Sequence, residues 1–222
     1  MSSPASLAER AYDDIRRMII RLDLAPGEVV RESDLQDTLD MSRTPIREAL
    51  QRLARDHFVT VVPRRGIFVS AVEIEELPML YETRAIMEPY AARLATERGS
   101  TDDWEEMAEV LDETRVPGRT PLELLDLDRR CHEIIWRAAG NRFLTATLDM
   151  LYAQSDRLWH TYLSGVHDMG HAVDEHAAIL DGLQSGDAEG VASLLERHVN
   201  SFDVQVRAAA HADSCRERPE HH

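Results

Sequence analysis

The feature that most constrains the fold is an abrupt change of pattern at Ala71. Before this residue, short valine-rich runs alternate with segments whose apolar residues recur at helical spacing. After it, only segments with helical spacing occur. The helical segments cover residues 73–98, 101–114, 120–139, 142–164, 169–185 and 187–211. Glycine, proline or asparagine separates them by connections of a few residues, and short connections make neighbouring helices antiparallel. The sequence therefore predicts an all-helical antiparallel bundle after Ala71.

The residues before Ala71 predict a helix-turn-helix. Apolar residues at helical spacing indicate a first helix over Leu7–Leu22, and Val29-Val30 indicates a short extended piece. Ser33 is expected to cap a second helix that runs to about Asp40. A tight turn at residues 41–43 then leads into a third helix, and two short helices joined in this way are typical of the motif.

Two β-rich runs follow the third helix. Phe58–Val62 and Gly66–Val69 are separated by Pro63-Arg64-Arg65, which predicts a two-stranded hairpin with a basic tip. The expected fold class is thus mainly α, with a winged helix-turn-helix followed by an all-α antiparallel bundle. We place the first domain at residues 1–71, the helical domain at 72–212 and a polar, disordered tail at 213–222.

The third helix is expected to carry arginine at its start. Thr44 suits the N-cap and Pro45 the first helical position, which puts Arg47 in the first turn. A cation there opposes the helix macrodipole at a cost of roughly 0.3–1 kcal/mol. An anionic partner supplies a reason for its presence, because helix starts that carry arginine meet DNA phosphates and guanine edges.

The charge distribution supports a nucleic-acid partner for the first domain only. The formal net charge is -16, yet residues 1–70 hold 11 arginines and 11 acidic residues, whereas residues 71–222 hold 14 arginines and 30 acidic residues. Residues 42–65 hold six arginines and two acidic residues, a local basic patch on an acidic protein. Hydrophobic residues make up 43% of the chain, which is enough for a globular core, and no run of about 18 apolar residues predicts a membrane span.

The sequence also predicts a cytoplasmic protein with free thiols. The N-terminus lacks the charged-then-apolar pattern of a signal peptide, so we expect no export and no membrane association. Cys131 and Cys215 lie far apart in the sequence, and a structural disulfide is not expected in such a chain.

Four ligand-type residues interrupt the apolar faces of three bundle helices: Asp128, His132, His176 and His198. Asp128 and His132 are four residues apart and share a helix face. Buried carboxylates and imidazoles must be paired or coordinated, and one divalent metal satisfies all four. Zinc is the preferred ion, with nickel, cobalt, manganese or iron as alternatives. The competing interpretation is that each is a core residue with a hydrogen-bonded neighbour.

Arg84 interrupts the apolar face of the first bundle helix in the same way. A buried guanidinium needs an anion, and Glu88 lies four residues further along. The pair is then purely structural, or Arg84 binds a small-molecule carboxylate next to the metal. The two interpretations are not exclusive.

These motifs resemble the GntR superfamily of bacterial transcription regulators, in the FadR-type branch with an all-helical FCD effector domain. Residues 42–50, SRTPIREAL, resemble the SRTPVREAL signature of that superfamily, and residues 64–69 resemble its wing. The stretch from Tyr81 to Ala92 resembles the opening of the FCD domain. The Asp and His positions named above resemble its metal-binding subset, and the resemblance covers nearly the whole chain.

The resemblance implies a homodimer whose winged domains bind a palindromic operator in double-stranded DNA. The residues expected to contact DNA are Arg31, Ser42, Arg43, Thr44, Arg47, Arg64, Arg65 and Gly66. The same resemblance implies that Asp128 and the three histidines hold the metal and that the effector is a small carboxylic acid.

We therefore expect a non-enzymatic transcriptional regulator, a repressor released by a carboxylate that binds next to the metal and to Arg84. One alternative is a constitutive DNA-binding dimer with a purely structural metal. The other is a metal-dependent hydrolase, for which no general base stands out beside the four ligands.

Overall fold

The computed structural model describes residues 6–71, 74–162 and 169–216. The chain divides into two compact units, each of which is described by itself. The first unit comprises Met1–Glu73 with Asp156–Thr161, and the second comprises Ile74–Ser155 with Tyr162–His222.

The first unit is a helix-turn-helix with a small sheet. Its elements are α1 (Leu7–Ile20), β1 (Val29–Val30), α2 (Glu32–Leu39), α3 (Arg43–Arg55), β2 (Val59–Val62) and β3 (Gly66–Val69). A capping box starts α1, because Glu9 N–H donates to Ser6 Oγ and Ser6 N–H donates to the Glu9 carboxylate. Helices α1 and α3 pack through buried aliphatic side chains such as Ile15, Ile46 and Leu50.

The starts of α2 and α3 differ from the sequence-based expectation. Arg31, not Ser33, is the N-cap of α2, and Ser42, not Thr44, is the N-cap of α3. Thr44 is therefore the second residue of α3, and Arg47 lies in its second turn. Asp40 follows the last residue of α2 with a left-handed φ of 49°, close to the predicted end of this helix.

The sheet has three antiparallel strands in the order β1-β3-β2, so the expected hairpin gains the short strand β1. Val29 pairs with Phe68, and Val62 pairs with Gly66 at the end of the hairpin. Arg64 and Gly66 adopt φ values of 64° and 118°. Gly66 is suited to its place because side-chain-bearing residues rarely adopt such a φ.

The second unit is a helical bundle. A short 3₁₀ turn at Ile74–Glu76 precedes α4 (Leu77–Arg98), α5 (Thr101–Thr114), α6 (Pro121–Ala138), α7 (Arg142–Tyr162), α8 (Met169–Ser185) and α9 (Ala188–Arg216). Capping boxes at Ser100 and Thr120 start α5 and α6, and the Asn141 side chain accepts two backbone N–H groups at the start of α7. The predicted fold class, winged helix-turn-helix plus all-helical bundle, is confirmed.

The bundle differs from the sequence pattern at its two ends. Helix α4 begins at Leu77 rather than at 73, because the 3₁₀ turn comes first. Helix α9 continues to Arg216, into the segment for which we expected a disordered tail, and residues 217–222 of that segment lie outside the described residues. The Cys215 side chain is likewise not described. Among the helices of the described ranges, none is long and apolar enough to cross a membrane.

Candidate DNA interface and metal centre

The start of α3 presents two arginines to solvent. The side chains of Arg43 and Arg47 are 68% and 57% exposed. Both contact one carboxylate of α2: Arg43 Nε donates to Glu32 Oε2 at 2.7 Å, and Arg47 Nε lies 3.5 Å from Glu32 Oε1. The Nε edge of Arg43 is thus held by protein, which leaves the two terminal nitrogens as donors for a ligand.

The other residues expected to contact DNA are also at the surface of this unit. Ser42 and Thr44 are exposed beside the α3 arginines. Arg31 is exposed at the N-cap of α2, where its guanidinium lies 3.7 Å from Asp34. Arg64 and Arg65 are exposed in the turn of the β2-β3 hairpin, and Gly66 follows as the first residue of β3.

The inward residues of three bundle helices form one buried cluster. Helix α6 contributes Asp128 and His132, α8 contributes His176, and α9 contributes His198. One ligand atom from each lies within 4.8 Å of the others. All four side chains are buried, none more than 6% exposed. The structure therefore brings together all four residues that helical periodicity had placed on inward faces.

The ring nitrogens in this cluster point at one another and at the carboxylate. His132 Nε2 and His198 Nε2 are 3.2 Å apart. Asp128 Oδ1 lies 3.3 Å from His198 Nε2 and 3.4 Å from His176 Nδ1. Two imidazole nitrogens with their lone pairs facing each other repel, unless a proton or a cation lies between them.

A second layer of side chains orients the residues of this cluster. His198 Nδ1 donates to Glu175 Oε2 at 2.8 Å, and His132 Nδ1 lies 2.5 Å from Glu88 Oε2. Carboxylates only accept, so each of these Nδ1 atoms carries a proton, and each Nε2 faces the centre of the cluster. The Tyr152 hydroxyl donates to Asp128 Oδ2 at 2.6 Å, which fixes the carboxylate.

The electrostatics of the cluster keep the carboxylates charged. Burial alone raises the pKa of Asp128, but the neighbouring charge of His176 and contacts with His198 and His132 outweigh it and hold the pKa well below its usual range. Burial opposes ionisation of Glu88 too, yet Arg84 and then His132 lower its pKa to about 2. Burial alone lowers the pKa of His198, but contacts with Asp128 and Glu175 raise it to about 9.

A divalent metal fits this donor set. Three imidazoles and one carboxylate match the ligands that zinc and related ions prefer. Within the described part of the chain, no donor makes a regular hydrogen bond to the buried Asp128 Oδ1. A cation would coordinate this oxygen and remove the repulsion between the facing nitrogens of His132 and His198 at the same time.

Arg84 lies one contact away from the cluster. Its Nε donates to Glu88 Oε1 at 2.6 Å, and the two side chains are 3% and 0% exposed. The guanidinium also lies over the Tyr152 ring, 4.7 Å from its centroid. The structural pair considered from the sequence is therefore present. Glu88 joins Arg84 on one side to His132 on the other.

Cys131 lies in the hydrophobic core beside this site. Its side chain is 1% exposed, and burial raises the pKa of its thiol above the usual range. A thiol that stays protonated is a poor metal ligand, which agrees with its position about 100° around α6 from His132.

Sequence reasoning missed the residues that orient the predicted ones. Glu32, Tyr152 and Glu175 were not identified, and Glu88 was identified only as a partner of Arg84. The sequence contained a signal for Glu88, because an acidic residue on a buried helix face needs a charged or hydrogen-bonding partner, and that partner need not be Arg84 alone. Nothing local distinguished Glu175 from other acidic residues, because its role depends on α8 and α9 packing together.

The chain matches two families of regulatory domains. Residues 7–69 match the bacterial regulatory proteins of the gntR family, and residues 79–201 match the FCD domain. The fold and these matches define a DNA-binding transcriptional regulator. The chain belongs to the GntR family, in the branch with an FCD domain, as its motifs predicted.

Relatives cover nearly the full length of the chain. An HTH-type transcriptional regulator of Streptomyces ambofaciens is 29% identical over 211 residues, covering 90% of this chain and 86% of the relative. The transcriptional repressor RspR of Escherichia coli is 24% identical over 201 residues, covering 90% and 88%. The fold of E. coli McbR/YncC matches with a TM-score of 0.82 at 21% identity, covering 93% of this chain and 99% of that one. The two curated relatives are transcriptional regulators, so the hydrolase alternative is not supported.

Proposed function

We propose that this regulator is a homodimeric repressor that binds a palindromic operator and is released by a small carboxylate bound next to a metal. The observation that carries the proposal is the contact chain from Arg84 through Glu88 to His132. It joins a buried guanidinium, which suits a carboxylate ligand, to a cluster that suits a metal. A similarity to the repressor RspR supports repression over activation.

The DNA-binding part of the proposal rests on the exposed start of α3. Arg43→Ala or Arg47→Ala should abolish binding to an operator selected from a random duplex library with the wild-type protein, because these side chains would contact bases and phosphates. Arg55→Ala is the matched control, since it removes the same charge from the exposed end of the same helix. Wild-type affinity of both test variants in a gel shift would contradict this assignment.

The metal-binding part assigns Asp128, His132, His176 and His198 as ligands. A bound divalent cation would supply a positive charge and coordination positions that carboxylate oxygens can occupy. Asp128→Asn should lose bound metal in elemental analysis of the purified protein. Asp126→Asn should retain it, because this neighbour on α6 is exposed. One equivalent of metal in the Asp128 variant would show that the ligand set is wrong.

The effector part is tested with a panel of mono-, di- and tricarboxylic acids added to the metal-loaded protein. An effector should raise the melting temperature and lower operator affinity, because a ligand shifts an equilibrium by its differential affinity for the two states. The Arg84–Glu88 pair also favours the alternative of a structural metal, since Arg84 already has an anion. No change of operator affinity with any carboxylate, together with unfolding on chelation, would support that alternative.

A further inference from the structure

The indole of Trp136 on α6 is a buried hydrogen-bond donor. The residue is 1% exposed, and none of the residues that the structure describes accepts a hydrogen bond from its Nε1. A buried tryptophan normally places its N–H against an acceptor, because a donor that has lost its water without gaining a partner destabilises the fold. The N–H of Trp136 is therefore suited to an acceptor that comes from outside the chain.

Trp136 lies beside the cluster of Asp128 and the three histidines. It follows His132 by four residues and Asp128 by eight, so the three side chains share one face of α6. The centroid of its ring is 5.7 Å from that of His132 and 5.6 Å from that of Tyr152. Tyr152 is the residue whose hydroxyl donates to Asp128. The unsatisfied donor thus belongs to a side chain that packs against the candidate metal centre.

A metal ion cannot satisfy this donor. A cation would coordinate the buried Asp128 Oδ1, which is an acceptor, whereas an indole N–H can only donate. The ring of Tyr152 lies at 66° to the indole, and an aromatic ring is a weaker acceptor than an oxygen atom. The unsatisfied atoms of Asp128 and Trp136 therefore require two occupants of opposite character, a cation for the carboxylate and an oxygen acceptor for the indole.

We infer that Trp136 is a ligand-binding residue whose Nε1 donates a hydrogen bond to a carboxylate oxygen of the effector. This inference rests on the proposed metal and effector and adds the residue that recognises the acceptor. A carboxylate only accepts and has two oxygens, so one oxygen can coordinate a metal while the other accepts from the indole. Arg84 already has Glu88 as its anion, whereas the N–H of Trp136 gains its partner when the carboxylate binds.

An isosteric replacement of the indole tests this hydrogen bond. Trp136→benzothienylalanine exchanges the N–H for a sulfur atom and keeps the shape of the ring. Trp104→benzothienylalanine is the matched control, because this tryptophan of α5 lies in the same hydrophobic core. The zinc-loaded proteins are titrated calorimetrically with acetate, succinate and tricarballylate. The Trp136 variant should bind these carboxylates about 10- to 100-fold more weakly than the wild type, because a hydrogen bond to a charged acceptor is lost, and the control should bind them equally well.

Nuclear magnetic resonance of the indole N–H groups gives a second readout, which does not depend on affinity. The chain has three tryptophans, so protein labelled with nitrogen-15 in its indoles gives three N–H signals. The signal that is missing from Trp136→Phe belongs to Trp136. A carboxylate added to the zinc-loaded protein should move this signal to higher proton frequency, because the N–H then donates to an oxygen, and should leave the signals of Trp104 and Trp159 in place. Zinc alone should not move it comparably, because a cation accepts no hydrogen bond.

The outcomes separate this inference from the proposed function. Equal carboxylate affinity of the wild type and the Trp136→benzothienylalanine variant would overturn the indole contact alone. A Trp136 signal that moves as far with zinc as with zinc and carboxylate would do the same, because the acceptor would then be a metal-bound water. Loss of zinc from the variant in elemental analysis would also overturn it, since Trp136 would then support the metal ligands rather than the effector. If none of the three carboxylates binds the zinc-loaded wild type, both the contact and the proposed effector are wrong.

Discussion

Replacement of Glu88 by Gln is the sharpest test of the buried network. The side chain keeps its shape but loses the charge that Arg84 and His132 both contact, at 2.6 and 2.5 Å. Arg84 is 3% exposed, so its guanidinium is left without its carboxylate partner. Breaking a buried pair in this way costs about 3–5 kcal/mol. The Tyr152 ring under the guanidinium remains, so we expect a loss of about 3 kcal/mol.

The assay is denaturant unfolding of the metal-free protein, followed by tryptophan fluorescence and circular dichroism. A second variant, Arg84→Met with Glu88→Gln, removes both charges and should recover most of the loss, because a buried pair replaced by apolar groups is often neutral. Glu189→Gln breaks the exposed pair with Arg93 and should leave the free energy of unfolding unchanged.

Two results would refute this reasoning. A loss of less than about 1 kcal/mol in Glu88→Gln would mean that Arg84 finds another anion or water. A double variant that is no more stable than Glu88→Gln would mean that the two charges are not coupled. The same Glu88→Gln variant should bind metal about 10–100-fold more weakly, because outer carboxylates orient ligating histidines.

Four further predictions concern His198, the metal, Glu32 and Gly66. The pKa of His198 is raised to about 9 from an ordinary 6.5, so its protonated form stabilises the folded metal-free protein. This contribution to the free energy of unfolding should be fully present below pH 6.5 and be lost as the pH rises to 9. A free energy of unfolding that does not change between these pH values would contradict this prediction. If His198 is a metal ligand as proposed, metal binding would displace this proton, so metal affinity measured by calorimetry should rise with pH. Glu32→Gln should tighten binding to a nonspecific duplex about two- to fivefold more than Asp37→Asn, because Glu32 contacts both Arg43 and Arg47 of α3. Equal effects of the two variants in a fluorescence titration would mean that Glu32 acts only through the net charge of the protein. Gly66→Ala should destabilise the first unit by about 1–2 kcal/mol through its φ of 118°, and an unchanged melting temperature would contradict this.

Most element positions followed from local patterns. Apolar periodicity placed α5 at its observed residues and α6 within a residue or two, because the period and the caps are both written in neighbouring residues. The N-caps of α2 and α3 were each predicted two residues too late. Several polar residues in these stretches can serve as caps, and packing of α1 against α3 selects among them.

The sequence by itself determined which faces turn inward and which residue types interrupt them. Asp128, His132, His176 and His198 were identifiable because a helix of known period assigns each position to a face. The tertiary structure alone decided that three helices bring these residues within 4.8 Å, and that Glu88 and Glu175 stand behind two of them. The same holds for Glu32, whose carboxylate meets arginines 11 and 15 residues further along the chain. The physical reason is that helical periodicity is a local property, whereas the neighbour that a face meets depends on contacts between residues far apart in sequence.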